Sequence, residues 1–290
     1  LITDSEDPSS YLLKAHTIRY HHSATLPERI ISQPKPQVAY LGFSPAFSKD
    51  GNPLLASRSA DDNQIAEDLV KLPMAAQEIR RSAEIWKGNY FIDAAATEAS
   101  FKKNASKAGI IHIASHAIID DVEPMRSRLV FSVSQDSTED GLLHTYELYN
   151  LQLNAQLACL SACNTGFGQL QTGEGVVSLA KGFFYAGVPN IMMSLWSVPD
   201  NSTARIMEFF NEELEQGSGK AEALRVAKLR FMKQADTYSS EPYYWAAFTL
   251  IGDNEPIETT KNFNTWIIAG CILLIAFVGT FVYRKRKKID

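Results

Sequence analysis

Apolar runs of strand length alternate along this chain with segments of helical period. Uninterrupted or β-branched runs at 38–43, 110–115, 128–133, 156–161, 191–196 and 245–251 predict strands. Between them, apolar spacing predicts helices over 74–87, 97–108, 175–186, 202–214 and 220–233. In the third of these, Val176, Leu179, Ala180 and Phe183 share one face, and Gly187 with Pro189 supplies a stop. In the fourth, Ile206, Phe209 and Phe210 form a buried stripe, and residues 200–202 offer caps. This repetition predicts an α/β fold, a mostly parallel sheet with helices on both faces. Ligands of such sheets gather at the carboxyl ends of the strands. Polar segments fall at those ends: His116 after 110–115, Cys163 after 156–161, and 197–202 after 191–196.

The pattern changes near the end of the chain. From Trp266 to Tyr283 no residue is charged, and Arg284, Lys285, Arg286, Lys287 and Lys288 follow at once. At about 1.5 Å per residue, a helix of that length spans ~27 Å, close to the hydrocarbon thickness of a bilayer. The stretch predicts one transmembrane helix over 265–283, with an interfacial aromatic near each end. Positive flanks stay in the cytoplasm, so the tail 284–290 is expected there. The main domain is then expected outside the cytoplasm, in a periplasm or at the cell surface. The organisation is one domain over 1–253, a polar juxtamembrane linker over 254–264, the helix and the basic tail.

Charge narrows the partners. The net charge is −5 although the last seven residues carry five cations, so the body is more acidic than the total. An acidic body is a poor match for a phosphate backbone, and no nucleic-acid partner is expected. No phosphate-binding glycine loop, dinucleotide fingerprint or metal-type cysteine and histidine spacing is present, so neither cofactor nor metal is implied. Of the three cysteines, Cys271 lies in the apolar tail. Cys159 and Cys163, four residues apart beside one extended strand, are too distant to bridge.

The chemistry centres on Cys163 and His116. Cys163 follows a hydrophobic strand and opens a loop containing Gly166, Gly168, Gly173 and Gly175, where a substrate can approach the backbone closely. A cysteine so placed can attack if a base makes it a thiolate. Cys159, between Ala158 and Leu160, reads as a small core residue. A strand period of two puts His112, Ala114 and His116 on one face, with His112 a core histidine and His116 at the strand end. Their rings, about 13 Å apart on a strand, cannot share an ion. A serine hydrolase using Ser115 or Ser161 would need a nucleophile elbow that the chain lacks.

Several strings, in order, resemble the CHAT family of caspase-like cysteine peptidases, related in fold to caspases and separases. They are IIHIASHA at 110–117, DGLLHTYELYNLQLNAQLACLSACNTG at 140–166, GEGVVSLAKGFFYAGVPNIMMSLWSVPDNST at 173–203 and EPYYWAAFTLIGD at 241–253. YLLKAHTIRYHHSATL near the start and LPMAAQEI at 72–79 add to them, so the likeness runs through most of 10–253. The resemblance implies a caspase-like fold and a catalytic dyad of His116 and Cys163, with an acyl-enzyme on the cysteine. It implies an oxyanion held by the backbone N–H groups of Ala117 and Cys163. The family pattern has glycine after the histidine and glutamate after the cysteine, whereas this chain has Ala117 and Asn164. An alanine resists positive φ.

By likeness to separases, the string SLWSVPD makes Asp200 a receiver for a basic residue preceding the cut bond, with Glu174 a second acidic wall. Equally, Asp200 can be the cap of the helix after it. The expected activity is that of a membrane-anchored cysteine endopeptidase acting on a protein or peptide. The alternative is a catalytically silent caspase-like scaffold or signalling adaptor. The resemblance also implies tetratricopeptide repeats upstream of this domain.

Overall fold

The computed structural model describes residues 11–21, 36–46, 72–133, 139–161, 163–164 and 174–258, with backbone alone at 163–164 and 174–177. The main sheet forms where buried apolar runs meet. Its strands are β1 (Val38–Ser44), β2 (Asn89–Ile92), β3 (Ala108–Ile113), β7 (Leu157–Leu160), β9 (Ile191–Ser194) and β10 (Phe248–Ile251). They lie in the order β10-β9-β7-β3-β1-β2, and every neighbouring pair is parallel except β9 with β10. β3 and β7 are buried at every position, as strands covered on both faces must be.

Alternation of side chains divides the core in two. On one face Phe43, Ile111, Ile113 and Leu160 pack with Phe101 of α2 (Glu98–Asn104) and with Leu179 and Phe183 of α4 (Glu174–Tyr185). On the other, Tyr40, Ile110, Cys159 and Met192 meet Trp86 of α1 (Ala75–Trp86), Phe210 of α5 (Asp200–Glu215) and Phe231 of α6 (Lys220–Gln234). The α1 stripe is Ala75, Glu78, Ile79, Ser82, Ala83 and Trp86, a helical repeat with one carboxylate inside it. α1 ends in Lys87, at φ 52°, and Gly88. A Cβ on Gly88 would stand 2.5 Å from the Tyr40 carbonyl oxygen, so only glycine lets the chain turn there against β1.

A second, smaller sheet was not expected. Its strands are β4 (His116–Ile118), β5 (Arg128–Val130), β6 (Leu142–His144) and β8 (Cys163–Asn164), in the order β6-β5-β4-β8. β4 and β8 are parallel, and the other two pairs are antiparallel. Thr145–Leu148 forms the short helix α3 after it. Two expectations are corrected here. The strand expected over 110–115 stops at Ile113, and His116 opens a new strand in another sheet, so His112, Ala114 and His116 do not share a face of one strand. The strand expected from Trp245 begins at Phe248, because Pro242–Tyr244 form a 3-10 turn first.

The domain comprises Leu1–Ile257, and Glu258–Asp290 form a separate unit. The expected transmembrane helix 265–283 and basic tail 284–290 lie outside the described residues. Among the described residues no helix is long and apolar enough to cross a membrane.

Candidate active site

Parallel pairing of two buried strands sets the site. β3 and β7 run in register from Ile110↔Leu157 to Ile113↔Leu160, so both reach the sheet edge at one level. Ala114 N–H still donates to Phe43 O at 2.9 Å, and Ser161 N–H to Ile113 O at 3.1 Å. The two chains then enter the second sheet together, with His116 opposite Cys163 and Ala117 opposite Asn164. Adjacent strands lie about 4.8 Å apart, so the two residues are main-chain neighbours. β2 lies on one side of β1 and β3 on the other, and the edge carrying both residues is where open α/β sheets receive ligands.

His116 is 2% exposed. Ala117 pairs with Leu129 on one side and Asn164 on the other. Among described residues other than glycine, positive φ occurs at Lys87 and Asp93, so Ala117 is not asked for the conformation that alanine resists. The side chains of Cys163 and Glu174 lie outside the described part; the backbone of Glu174 opens α4. Cys159 is free and buried, and burial, then the Glu78 carboxylate, pushes its thiol pKa far up. It is a core residue and no nucleophile.

Asp200 does not cap its own helix. Pro199 is the N-cap of α5, and its carbonyl accepts from the N–H groups of Ser202 and Thr203 at 2.9 and 3.1 Å. The Asp200 carboxylate instead accepts the N–H of Met74 at 2.5 Å, at the start of α1. Burial raises its pKa, the Met74 N–H opposes that, and the Glu78 charge adds to the rise. The residue thus ties two helix N-termini together beside the sheet edge.

Sequence reasoning missed the polar core beneath that edge. Glu78 Oε1 accepts from Ser161 Oγ at 2.6 Å and stands 2.7 Å from His112 Nε2. His112 Nδ1 lies 2.8 Å from Tyr40 Oη. All four residues are buried. His112 is therefore the satisfied core histidine expected, held away from solvent. Ser161 is two residues before Cys163 and His112 four before His116, so the network fixes the ends of both strands. A glutamate inside the apolar stripe of α1 was the signal that could have found it, because a carboxylate there requires buried donors.

Among the described residues one carboxylate group could hold a metal, formed by Glu98, Glu139 and Glu147. The Lys102 ammonium already stands among them, 2.7, 2.6 and 2.9 Å from the three side chains. Burial lifts the Glu98 pKa to about 7, with the Lys102 hydrogen bond and charge opposing.

These features define an α/β domain whose mostly parallel sheet delivers a histidine and a cysteine to one edge as strand partners. The CHAT domain profile matches residues 2–253, and the chain belongs to the CHAT domain family. It is 31% identical over 121 residues to mouse tetratricopeptide repeat protein 28, across 42% of this chain and 5% of that protein. The human protein of the same name is 24% identical over 222 residues, 66% of this chain and 9% of the relative. The match thus spans less than a tenth of either relative. Among solved structures, the Arg-specific cysteine proteinase gingipain R aligns with a TM-score of 0.45 and 13% identity, over 77% of this chain and 48% of that one. The complex of Porphyromonas gingivalis RgpB pro- and mature domains aligns with a TM-score of 0.42 and 12% identity, with the same coverage.

Proposed function

We propose that this CHAT domain is a cysteine endopeptidase with His116 and Cys163 as its dyad. The parallel register that makes them direct strand partners carries the reading. In it, His116 takes the thiol proton and Cys163 attacks the peptide carbonyl, forming an S–C bond as the amide π bond opens. The backbone N–H groups of Cys163 and Ala117 stabilise the oxyanion. The tetrahedral adduct collapses, His116 protonates the leaving amine, and water activated by the same imidazole hydrolyses the thioester. Asp200 and Glu174 form the acidic side of the specificity site and favour a basic residue before the cut bond. The segment 265–283 anchors the domain to a bilayer, with 284–290 in the cytoplasm and the domain outside it. Repeats upstream, as the names of the curated relatives suggest, would deliver the substrate.

The test is cleavage of a peptide library by the full chain. Cys163→Ala and His116→Ala should each lower kcat/KM about a thousandfold or more. Persistence of cleavage in both variants sinks the dyad, and preference for a non-basic residue removes Asp200 and Glu174 from specificity.

One observation favours the catalytically silent scaffold as a second reading, the burial of His116. On that reading Cys163 fails to react with any peptidyl thiol-directed electrophile.

A further inference from the structure

Far from the dyad in sequence, a cavity of ≈ 260 Å³ opens beside the outer edge of β10. Leu13, Ile18, Leu224, Trp245, Phe248 and Leu250 give it apolar walls. The segment from Tyr11 to Tyr20 closes one side. Tyr20 N–H donates to Leu250 O at 2.9 Å, Gly252 N–H to Tyr20 O at 2.9 Å, and the Tyr11 ring meets Trp245 edge-on at 5.1 Å.

Lys228 of α6 lines this cavity and is 8% exposed. Its Nζ donates to Phe248 O at 2.6 Å, and no carboxylate pairs with it among the described residues. A lysine that merely guards a sheet edge keeps its ammonium in water. Lys228 does not. Burial lowers its pKa to about 8, the cost of holding a cation in an apolar setting without a counter-ion. The other cation of the cavity, Arg225, is engaged elsewhere, with Leu13 O at 2.9 Å, Lys14 O at 2.7 Å and Glu222 Oε1 at 2.8 Å. The cavity therefore combines apolar walls with one ammonium short of an anion. Its volume lies just below the usual range for ligand pockets, about 300–1,000 Å³, which selects a small occupant.

We propose that the cavity binds a medium-chain aliphatic carboxylate, its carboxylate on the Lys228 ammonium and its chain against Leu13, Leu224, Trp245 and Leu250. The charged pair is desolvated and hydrogen-bonded, the setting in which charge-assisted bonds are strongest.

The test uses the full chain and a fatty acid bearing a terminal diazirine, with labelled residues located by peptide mass spectrometry. Label is expected on the segment 11–20 or on 245–250. Octanoate should displace it about tenfold more effectively than octanamide, the discrimination worth one charge-assisted bond. Lys228→Met should erase that preference while leaving the apolar walls intact. Ala246→Phe, which narrows the cavity, should reduce labelling of both segments and keeps the proposal testable should Lys228→Met fail to fold. Label confined to 259–290 or scattered over the surface overturns the proposal. So does an unchanged preference for octanoate in Lys228→Met.

Discussion

At the scale of single residues, the strand ends that lead into His116 and Cys163 rest on a buried support. Glu78, His112 and Ser161 form one hydrogen-bonded group, and removing the carboxylate strands two polar partners in the core. Glu78→Leu should therefore lower unfolding stability by about 3 kcal/mol, read from urea denaturation. Glu78→Gln, which still accepts a hydrogen bond, should lose less. Because Ser161 lies two residues before Cys163, the rate of Cys163 alkylation should fall in both variants under conditions where the domain remains folded. An unchanged rate would show that the network holds the core without positioning the thiol. The core status of Cys159 and His112 was legible from their places inside apolar strands, and strand-end position with the resemblance singled out His116 and Cys163 for the dyad proposed above. Glu78 was not, since nothing in an amphipathic pattern says which buried partner a carboxylate faces.

At the scale of elements, the long ones were legible and the short ones were not. β1, β3, β7 and β9 and all five longer helices follow from apolar period, with boundaries shifted by a few residues. β4 and β8 have three and two residues, too few for a period, and exist because each supplies the other's hydrogen-bonding edge. The turn from α1 into β2 is a case where one atom decides an element. Gly88→Ala would place a methyl 2.5 Å from Tyr40 O and 2.6 Å from Tyr40 Cβ, and should cost about 2 kcal/mol of stability. The denaturation midpoint measures it, and a midpoint within error of wild type would show that the α1–β2 turn relaxes freely.

At the scale of the whole molecule, charge is arranged for more than solubility. The Lys102 ammonium joins Glu98 of α2, Glu139 in the β5–β6 connection and Glu147 of α3. Burial lifts the Glu98 pKa to about 7 in the fold from an ordinary value of 4.5, so the folded state binds the proton more tightly than the unfolded chain. Its contribution to stability is complete below about 4.5 and is lost as pH rises through about 7. Glu98→Gln should therefore flatten the fall in unfolding stability across that window, measured as the difference between variant and wild type at each pH. A parallel pair of profiles would count against it. The sequence by itself determined the α/β class, the alternation of strand and helix, the acidic body and the two residues worth watching, because local period and composition encode them. Only the tertiary structure decided that His116 and Cys163 become strand partners in a second sheet, that Asp200 ties α5 to α1, and that Lys228 ends in an apolar cavity. Those facts depend on register and on contacts between residues far apart in the chain, where no local pattern reaches.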